Sequence, residues 1–254
     1  MTEATAYPSA EVDIAPVAAL MADRARAAML IALLDGRPLA ASELARLASV
    51  SAPTASAHLA KLLDGGLVTA IRQGRHRYYQ LGGHEVALAI EALSQIGPPA
   101  PVRSLKQSRQ AAALAEARTC YDHLAGRAGV LLLDGMLREE LLTEASGTSG
   151  QAAASNGLAV DMASVRYQVT RSGMATLAPF NIDVDALRAT RRRFAGACLD
   201  WTQRRPHLGG SLAAAITTRL FELDWIERGP RMRSVRVTPQ GREGLAMTFG
   251  WTDA

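Results

Sequence analysis

The sequence predicts a mainly α protein with small β-hairpin wings, of α+β class. It places a winged helix-turn-helix domain first and a C-terminal domain after it, the latter possibly a degenerate copy of the same design. Three observations carry this. Ser42 to Gly66 reads as two short helices joined by a tight connection. The run after it alternates apolar residues on both sides of Gln73-Gly74, as a β-hairpin does. The helix-hairpin-helix order then returns near Arg219.

Residues 1–13 have no periodicity and are expected to be a flexible N-terminus; they lack the basic start and apolar core of an export signal. No apolar run approaches the ~20 residues that span a bilayer, so a cytoplasmic protein without a membrane partner is expected. At 254 residues, 48% hydrophobic and 20% charged, the chain can bury a sizeable core. From Ile14 to Asp35 apolar residues recur at helical spacing, with a bend or break at the polar group Asp23, Arg24 and Arg26. Gly36 and Pro38 end that helix.

In the helix pair, Ser42 and Ser51 stand as candidate N-caps, and Pro53 opens a helix whose apolar face is Ala55, Leu59, Leu62 and Leu63. Its other face, Thr54, Ser56, Ala57, His58 and Lys61, is small and polar, which lets a helix lie close in a major groove. An ordinary solvated helix has such a face too; the hairpin that follows separates the two readings. Its tip carries Arg72, Arg75, His76 and Arg77, placed to reach phosphates or the minor groove. Charge agrees: residues 1–97 carry 8 Lys and Arg against 9 Asp and Glu, whereas residues 37–81 carry 6 against 2. Ser51, Thr54, Ser56, Ala57, His58, Lys61, Arg72, Arg75, His76 and Arg77 are thus the expected DNA contacts. A further amphipathic helix over 84–97, with Val86, Leu88, Ile90, Leu93 and Ile96 on one face, closes the domain at 14–97.

These residues, ARAAMLIALLDGRPLAASELARLASVSAPTASAHLAKLLDGGLV followed by GRHRYYQL, resemble the winged helix-turn-helix domain of the ArsR family of bacterial transcriptional regulators. The resemblance covers about a third of the chain. It implies a homodimer formed through the first and last helices, a palindromic operator in double-stranded DNA, and release when an effector binds. It also implies that residues 53–63 are the recognition helix. Two metal sites of that family are not reproduced. Its paired-cysteine motif is replaced by Leu44-Ala45-Arg46, and His84, Glu85 and Glu91 lack its carboxylate and histidine spacing on the last helix.

Proline-rich residues 98–108 are expected to be a linker, and 109–254 a dimerisation or sensing domain. Residues 110–142 read as two helices broken near Gly126 to Gly129, and 145–157 as a mobile loop. The run from Arg219 to Ile226 repeats the pattern of Lys61 to Val68, with a partial echo over 166–177. No hydroxyl-rich helix stands ready in the later copy, because Ala213, Ala214, Ala215, Ile216 and Leu220 look buried.

Two groups in this half could carry chemistry. Cys120-Tyr121-Asp122-His123 puts a thiol and an imidazole on one side of an expected helix. Cys198 and Asp200 are candidates to join them on a soft metal ion; a redox thiol and a plain buried role stay open. The second group, Cys198, Asp200, Trp201, Arg204, Arg205 and His207, could hold an acidic or aromatic small-molecule effector, or be a core tryptophan with a solvated arginine rim. The ArsR-type proteins with long C-terminal halves that this chain resembles often carry similar stretches around Cys120 and Cys198, which implies a shared structural or sensory role. No nucleophile elbow, P-loop, dinucleotide fingerprint or HExxH occurs, so an enzyme is not expected, and no cofactor is certain beyond the candidate soft metal ion or small-molecule effector. The expected function is a DNA-binding regulator, acting as a homodimeric repressor. The alternatives are a thiol- or metal-responsive version of it and a winged-helix protein-interaction module.

Overall fold

The structure is a computed structural model that describes residues 12–74, 76–98, 104–145 and 165–252. Expectations placed on residues 1–11, 99–103 and 146–157 and on Arg75 lie outside the described residues. Two compact units are distinguished, residues 1–33 with 37–86, and residues 34–36 with 87–254.

In the first unit, α1 (Ala15–Ala22) and α2 (Arg24–Leu33) are separate helices. Asp23 divides them: its ψ of 130° leaves the helix, and its carboxylate accepts the Ala25 and Arg26 amides at 3.0 and 2.9 Å. β1 (Leu39–Ala40) leads into α3 (Ala41–Leu47). The helix is capped at Ala40 and not at Ser42, because Glu43 Oε2 reaches back to accept the Ala40 N–H at 3.0 Å. Ser49, at φ 56°, turns the chain, and Ser51 caps α4 (Ala52–Asp64) by accepting the Thr54 amide at 3.3 Å. Ala55, Leu59 and Leu62 are fully buried on the inner face.

Gly66, at φ 69°, ends α4, and β2 (Val68–Gln73) pairs with β3 (His76–Leu81) from Val68↔Leu81 to Gln73↔His76. A two-residue loop therefore closes the hairpin. β1 adds to β3, giving the order β1-β3-β2. This third strand was not foreseen, since two residues carry no alternation.

Next comes α5 (His84–Ile96), most of which counts with the second unit, although the sequence reading drew its boundary at 98–108. α6 (Leu105–Glu116) begins within that expected linker. The alanine-rich run beyond it was expected to stay helical. Instead, Arg118-Thr119-Cys120 forms β4 (Arg118–Cys120), which pairs with β5 (His123–Ala125) around Tyr121 at φ 62°. Thr119 favours extended backbone, and long-range pairing of Arg118 with Ser234 outweighs the local helical pattern.

The chain continues through α7 (Gly126–Arg138), β6 (Leu142–Glu144), β7 (Tyr167–Val169) and α8 (Arg171–Leu177). A 3-10 turn at 178–180 and α9 (Val184–Arg188) precede a second hairpin, β8 (Gly196–Leu199) with β9 (Pro206–Gly209). Then follow α10 (Ser211–Glu222), β10 (Ile226–Arg228), β11 (Val235–Val237) and α11 (Pro239–Phe249). None of the described helices is long and apolar enough to cross a membrane.

One backbone corner recurs three times. After α4, the Leu67 amide donates to Leu62 O and Leu67 O accepts from Gly82 N, both at 2.9 Å. After α7, Leu141 donates to Met136 O at 2.8 Å and accepts from Thr170 N at 3.1 Å. After α10, Trp225 donates to Leu220 O and accepts from Thr238 N, both at 3.0 Å. Gly66, Glu140 and Asp224, at φ 69°, 52° and 54°, each make the left-handed step before it. The second unit thus holds two helix-corner-hairpin-helix modules, each preceded by a β-hairpin where the first unit has α3. The modules exchange these leading hairpins: β9 lies along α7, and β5 lies along α10. Their shared core includes Leu132, Leu133, Met136, Leu212, Ile216, Leu220, Leu245 and Phe249.

Candidate functional site

Two sites follow from this frame, one on each unit. On α4, Ser51, Thr54, Ser56, Ala57 and Lys61 are exposed. Burial of Ala55, Leu59 and Leu62 fixes the helix rotation that turns them outward. Ser51 and Thr54 are engaged with each other, Oγ to Oγ1 at 2.8 Å, in the cap itself. His58 departs from that open face: it is only partly exposed, with Nδ1 3.8 Å from Asp23 Oδ1. On the hairpin, Arg72, His76 and Arg77 are exposed, and Arg72 stands directly across from Arg77. The Arg77 guanidinium lies 5.3 Å from the Tyr79 ring centre, which ties its stem to the strand. Arg75 lies outside the described residues.

The second site is built from the two exchanged hairpins. Cys120 is paired directly with His123 across β4 and β5, and Cys198 directly with His207 across β8 and β9. Residues opposite each other on antiparallel strands project to the same face, so each hairpin presents one thiol and one imidazole together. The helical spacing expected for Cys120 and His123 is therefore corrected to a cross-strand pair. All four side chains are buried, and a sulfur or ring nitrogen from each lies within 4.8 Å of those of the others. Sγ of Cys120 and Sγ of Cys198 are 3.9 Å apart, both as free cysteines, and the two imidazoles stack with centres 5.2 Å apart.

Carboxylates stand behind both imidazoles. Asp122 lies 3.3 Å from His123 Nδ1 and is clamped by both terminal nitrogens of Arg192. Burial alone would raise its pKa, but hydrogen bonds from Arg192 and His123 hold it below the usual carboxylate range. Asp200 is fully buried; its oxygens accept from Gly126 N at 2.6 Å, Thr202 N at 2.8 Å and Gln203 N at 3.0 Å. Burial again opposes ionisation, and the fully buried Arg118, 3.0 Å away, with Thr202 overrides it to lower the pKa. Asp200 Oδ2 is 3.7 Å from His207 Nδ1. Hydrogen bonding with Cys198, then burial, pushes the Cys120 thiol pKa up. At His123, burial favours the neutral ring, but the Cys120 sulfur and Asp122 outweigh it and raise the pKa.

Not every candidate is gathered here. With its carboxylate occupied by backbone amides and Arg118, Asp200 supports the cluster. Trp201 lies under Arg118, whose guanidinium is 4.7 Å from its ring. Arg204 is exposed, and Arg205 pairs with Asp134 at 2.8 Å. The combined acidic or aromatic effector pocket of Trp201, Arg204, Arg205 and His207 is thus not assembled, since His207 turns into the buried cluster. Sequence reasoning missed Arg118, Asp122 and Arg192 as supports. A signal existed: the pattern Cys-x-Asp, then His-Leu-small-Gly, occurs at 120–126 and again at 198–210. Gly126 and Gly210 end these patterns at φ 73° and 102°, a backbone that starts the following helix and disfavours a side chain.

The helix-turn-helix domain family matches residues 21–70. Over 230 residues the chain is 38% identical to the HTH-type transcriptional regulator YdfF of Bacillus subtilis, covering 91% of this chain and 94% of that one. Solved structures similar to part of the chain include HlyU from Vibrio cholerae, 32% identical over 32% of this chain and 88% of that chain at a TM-score of 0.30. Another is the homodimeric winged helix-turn-helix domain of a possible ArsR-family regulator from Mycobacterium bovis, 35% identical over 33% of this chain and 75% of that one at a TM-score of 0.30. The chain belongs to the HTH-type transcriptional regulators, and its first unit carries their helix-turn-helix DNA-binding domain.

Proposed function

We propose that the protein is a homodimeric repressor that reads a palindromic operator through α4 and the β2–β3 wing and leaves it when an effector acts on the C-terminal unit. The observation that carries this is the outward polar face of Thr54, Ser56, Ala57 and Lys61 in one compact unit with the exposed Arg72 and Arg77. A groove-entering helix needs short side chains, and a wing beside it needs cations for phosphate. His58, held near Asp23, positions α4 on the α1–α2 junction and takes a smaller part in base contact. Dimerisation is supported by apolar surface at the first and last helices of the sequence domain: Ile14, just before α1, and Val17 on it are 72% and 42% exposed, and Leu93 and Ile96 on α5 are 47% and 81% exposed.

The test is binding of full-length protein to DNA upstream of its own gene, against an unrelated fragment, over a range of salt. The double variant Arg72→Ala/Arg77→Ala is expected to weaken operator binding at least tenfold and to reduce the log–log salt slope by about 2. Unchanged affinity would overturn the wing assignment. Equal binding to all fragments, together with tight capture of a protein partner, would favour the interaction-module reading.

A further inference from the structure

We propose that Cys120, His123, Cys198 and His207 form a closed tetrahedral site for one zinc(II) ion, which staples the two exchanged hairpins of the C-terminal unit. The ligand set comes from four strands in two matched pairs, one thiol and one imidazole from each hairpin. Residues 78 positions apart in the chain meet with their sulfurs 3.9 Å apart. For zinc–sulfur bonds of about 2.3 Å, the edge of a tetrahedron is about 3.8 Å, which this separation fits. A disulfide requires about 2.05 Å.

The chemistry of the surroundings points the same way. The four residues are 2%, 1%, 7% and 0% exposed, in the order of their numbers, so any charge among them is costly without compensation. Two thiolates and two neutral imidazoles around a divalent ion sum to zero charge. Nε2 of His123 and Nε2 of His207 are buried without a hydrogen-bond partner, while Nδ1 of each faces a carboxylate, which leaves one ligand nitrogen on each ring for the cluster. Asp122 stands on the far nitrogen of His123, the arrangement in which a carboxylate fixes an imidazole for metal binding. Mixed sulfur and nitrogen donors suit zinc over the hard cations magnesium and calcium. Four protein ligands fill the tetrahedron and leave no position for a reacting water, so the ion holds structure and does no catalysis.

Loading also serves the fold. Each hairpin lies along a helix of the other module, so a single ion would tie the exchange at its centre. Gly126, which begins α7, is held by Asp200 from the opposite hairpin, and Leu124 N donates to Thr217 of α10 at 2.9 Å. The ion is therefore expected to add its binding free energy to the stability of the whole unit.

Full-length protein purified under reducing conditions, analysed for metals, then stripped and titrated with cobalt(II), tests this. One zinc ion per chain is expected, and cobalt should give the intense d–d bands of a tetrahedral site with thiolate-to-cobalt charge transfer. Added zinc should raise the melting temperature of the stripped protein. Cys198→Ser should abolish the cobalt spectrum. Because that variant could fail to fold, Cys198→His is paired with it and should keep a tetrahedral spectrum with weaker charge transfer. Asp122→Asn, a change in a positioning residue, should lower cobalt affinity about 10–100-fold and keep the tetrahedral bands. A stripped wild-type chain that melts unchanged with zinc and gives no tetrahedral cobalt spectrum would overturn the site, as would a Cys120–Cys198 disulfide in the reduced preparation. These readouts do not involve DNA, so they stand or fall apart from the operator reading.

Discussion

The helix α4 with its hairpin and the helix α10 with its hairpin follow one backbone path and present opposite surfaces. Both end in the same left-handed corner and the same pair of corner hydrogen bonds. Yet α4 buries one stripe and leaves Thr54, Ser56, Ala57 and Lys61 in solvent, whereas α10 buries Ser211, Leu212, Ala213, Ile216, Thr217 and Leu220. What precedes each helix differs as well: α3 packs beside α4, while β8 and β9, which carry Cys198 and His207, precede α10. The helix-corner-hairpin unit is thus a packing solution that serves two ends, and its use is set by which side chains are left outside.

The largest effect is expected where the second unit departs most from the first. Arg118 and Asp200 are both fully buried and pair at 3.0 Å, an arrangement with no counterpart described in the first unit. Arg118→Ala leaves the Asp200 carboxylate buried without its cation and is expected to cost about 3–5 kcal/mol. All three tryptophans, Trp201, Trp225 and Trp251, belong to that unit, so their fluorescence during urea unfolding reads its stability directly. A loss below about 1 kcal/mol would mean that water replaces the guanidinium and that the pair does not set the second unit apart.

A slightly smaller effect tests what the two regions share. Leu62 and Leu220 occupy the same place before the corner, each fully buried and each accepting the amide of the residue five positions later. Leu62→Ala and Leu220→Ala should each cost about 2–5 kcal/mol, because both leave a cavity at the junction of helix and hairpin. Denaturation of full-length variants followed by circular dichroism and tryptophan fluorescence checks this. A large cost at one position only would show that the common path is not a common packing.

What was legible in the sequence was local. The Ser51 cap, Pro53 and the apolar stripe of α4 are set within one helix, and the wing by alternation around a two-residue loop. What was not legible depends on distant partners. β1 gains strand character only by pairing with β3, and the hairpin over 118–125 sits in an alanine-rich run whose helical pattern is overridden by contacts with residues near 198–209 and 234. Cys120 and His123 were legible as a pair with Cys198 as a candidate to join them, whereas His207 stood with Trp201 and the arginines. Their meeting required the exchange of hairpins, which no spacing between Cys120 and Cys198 encodes. Trp201, Arg204 and Arg205 drew attention by density, yet density does not specify direction: His207 turns in while Arg204 and Arg205 face solvent.

The smallest effect separates the two regions most cleanly. Lys61 and Arg219 are equivalent in the repeat, each one position before the leucine whose carbonyl the corner binds. Lys61 is exposed on α4, whereas Arg219 reaches Glu222 at 2.9 Å along its own helix. If only α4 faces DNA, Lys61→Ala removes about one phosphate contact. The log–log salt slope should then shrink by about 1, affinity should fall to a similar degree for matched and mismatched operators, and stability should stay within about 0.5 kcal/mol. Arg219→Ala should leave the slope unchanged and cost no more than about 0.5 kcal/mol, the scale of a helix surface pair. Salt-series binding on both variants decides the matter: a slope change at Arg219 would place the second region on DNA beside the first, and no change at Lys61 would remove α4 from the groove.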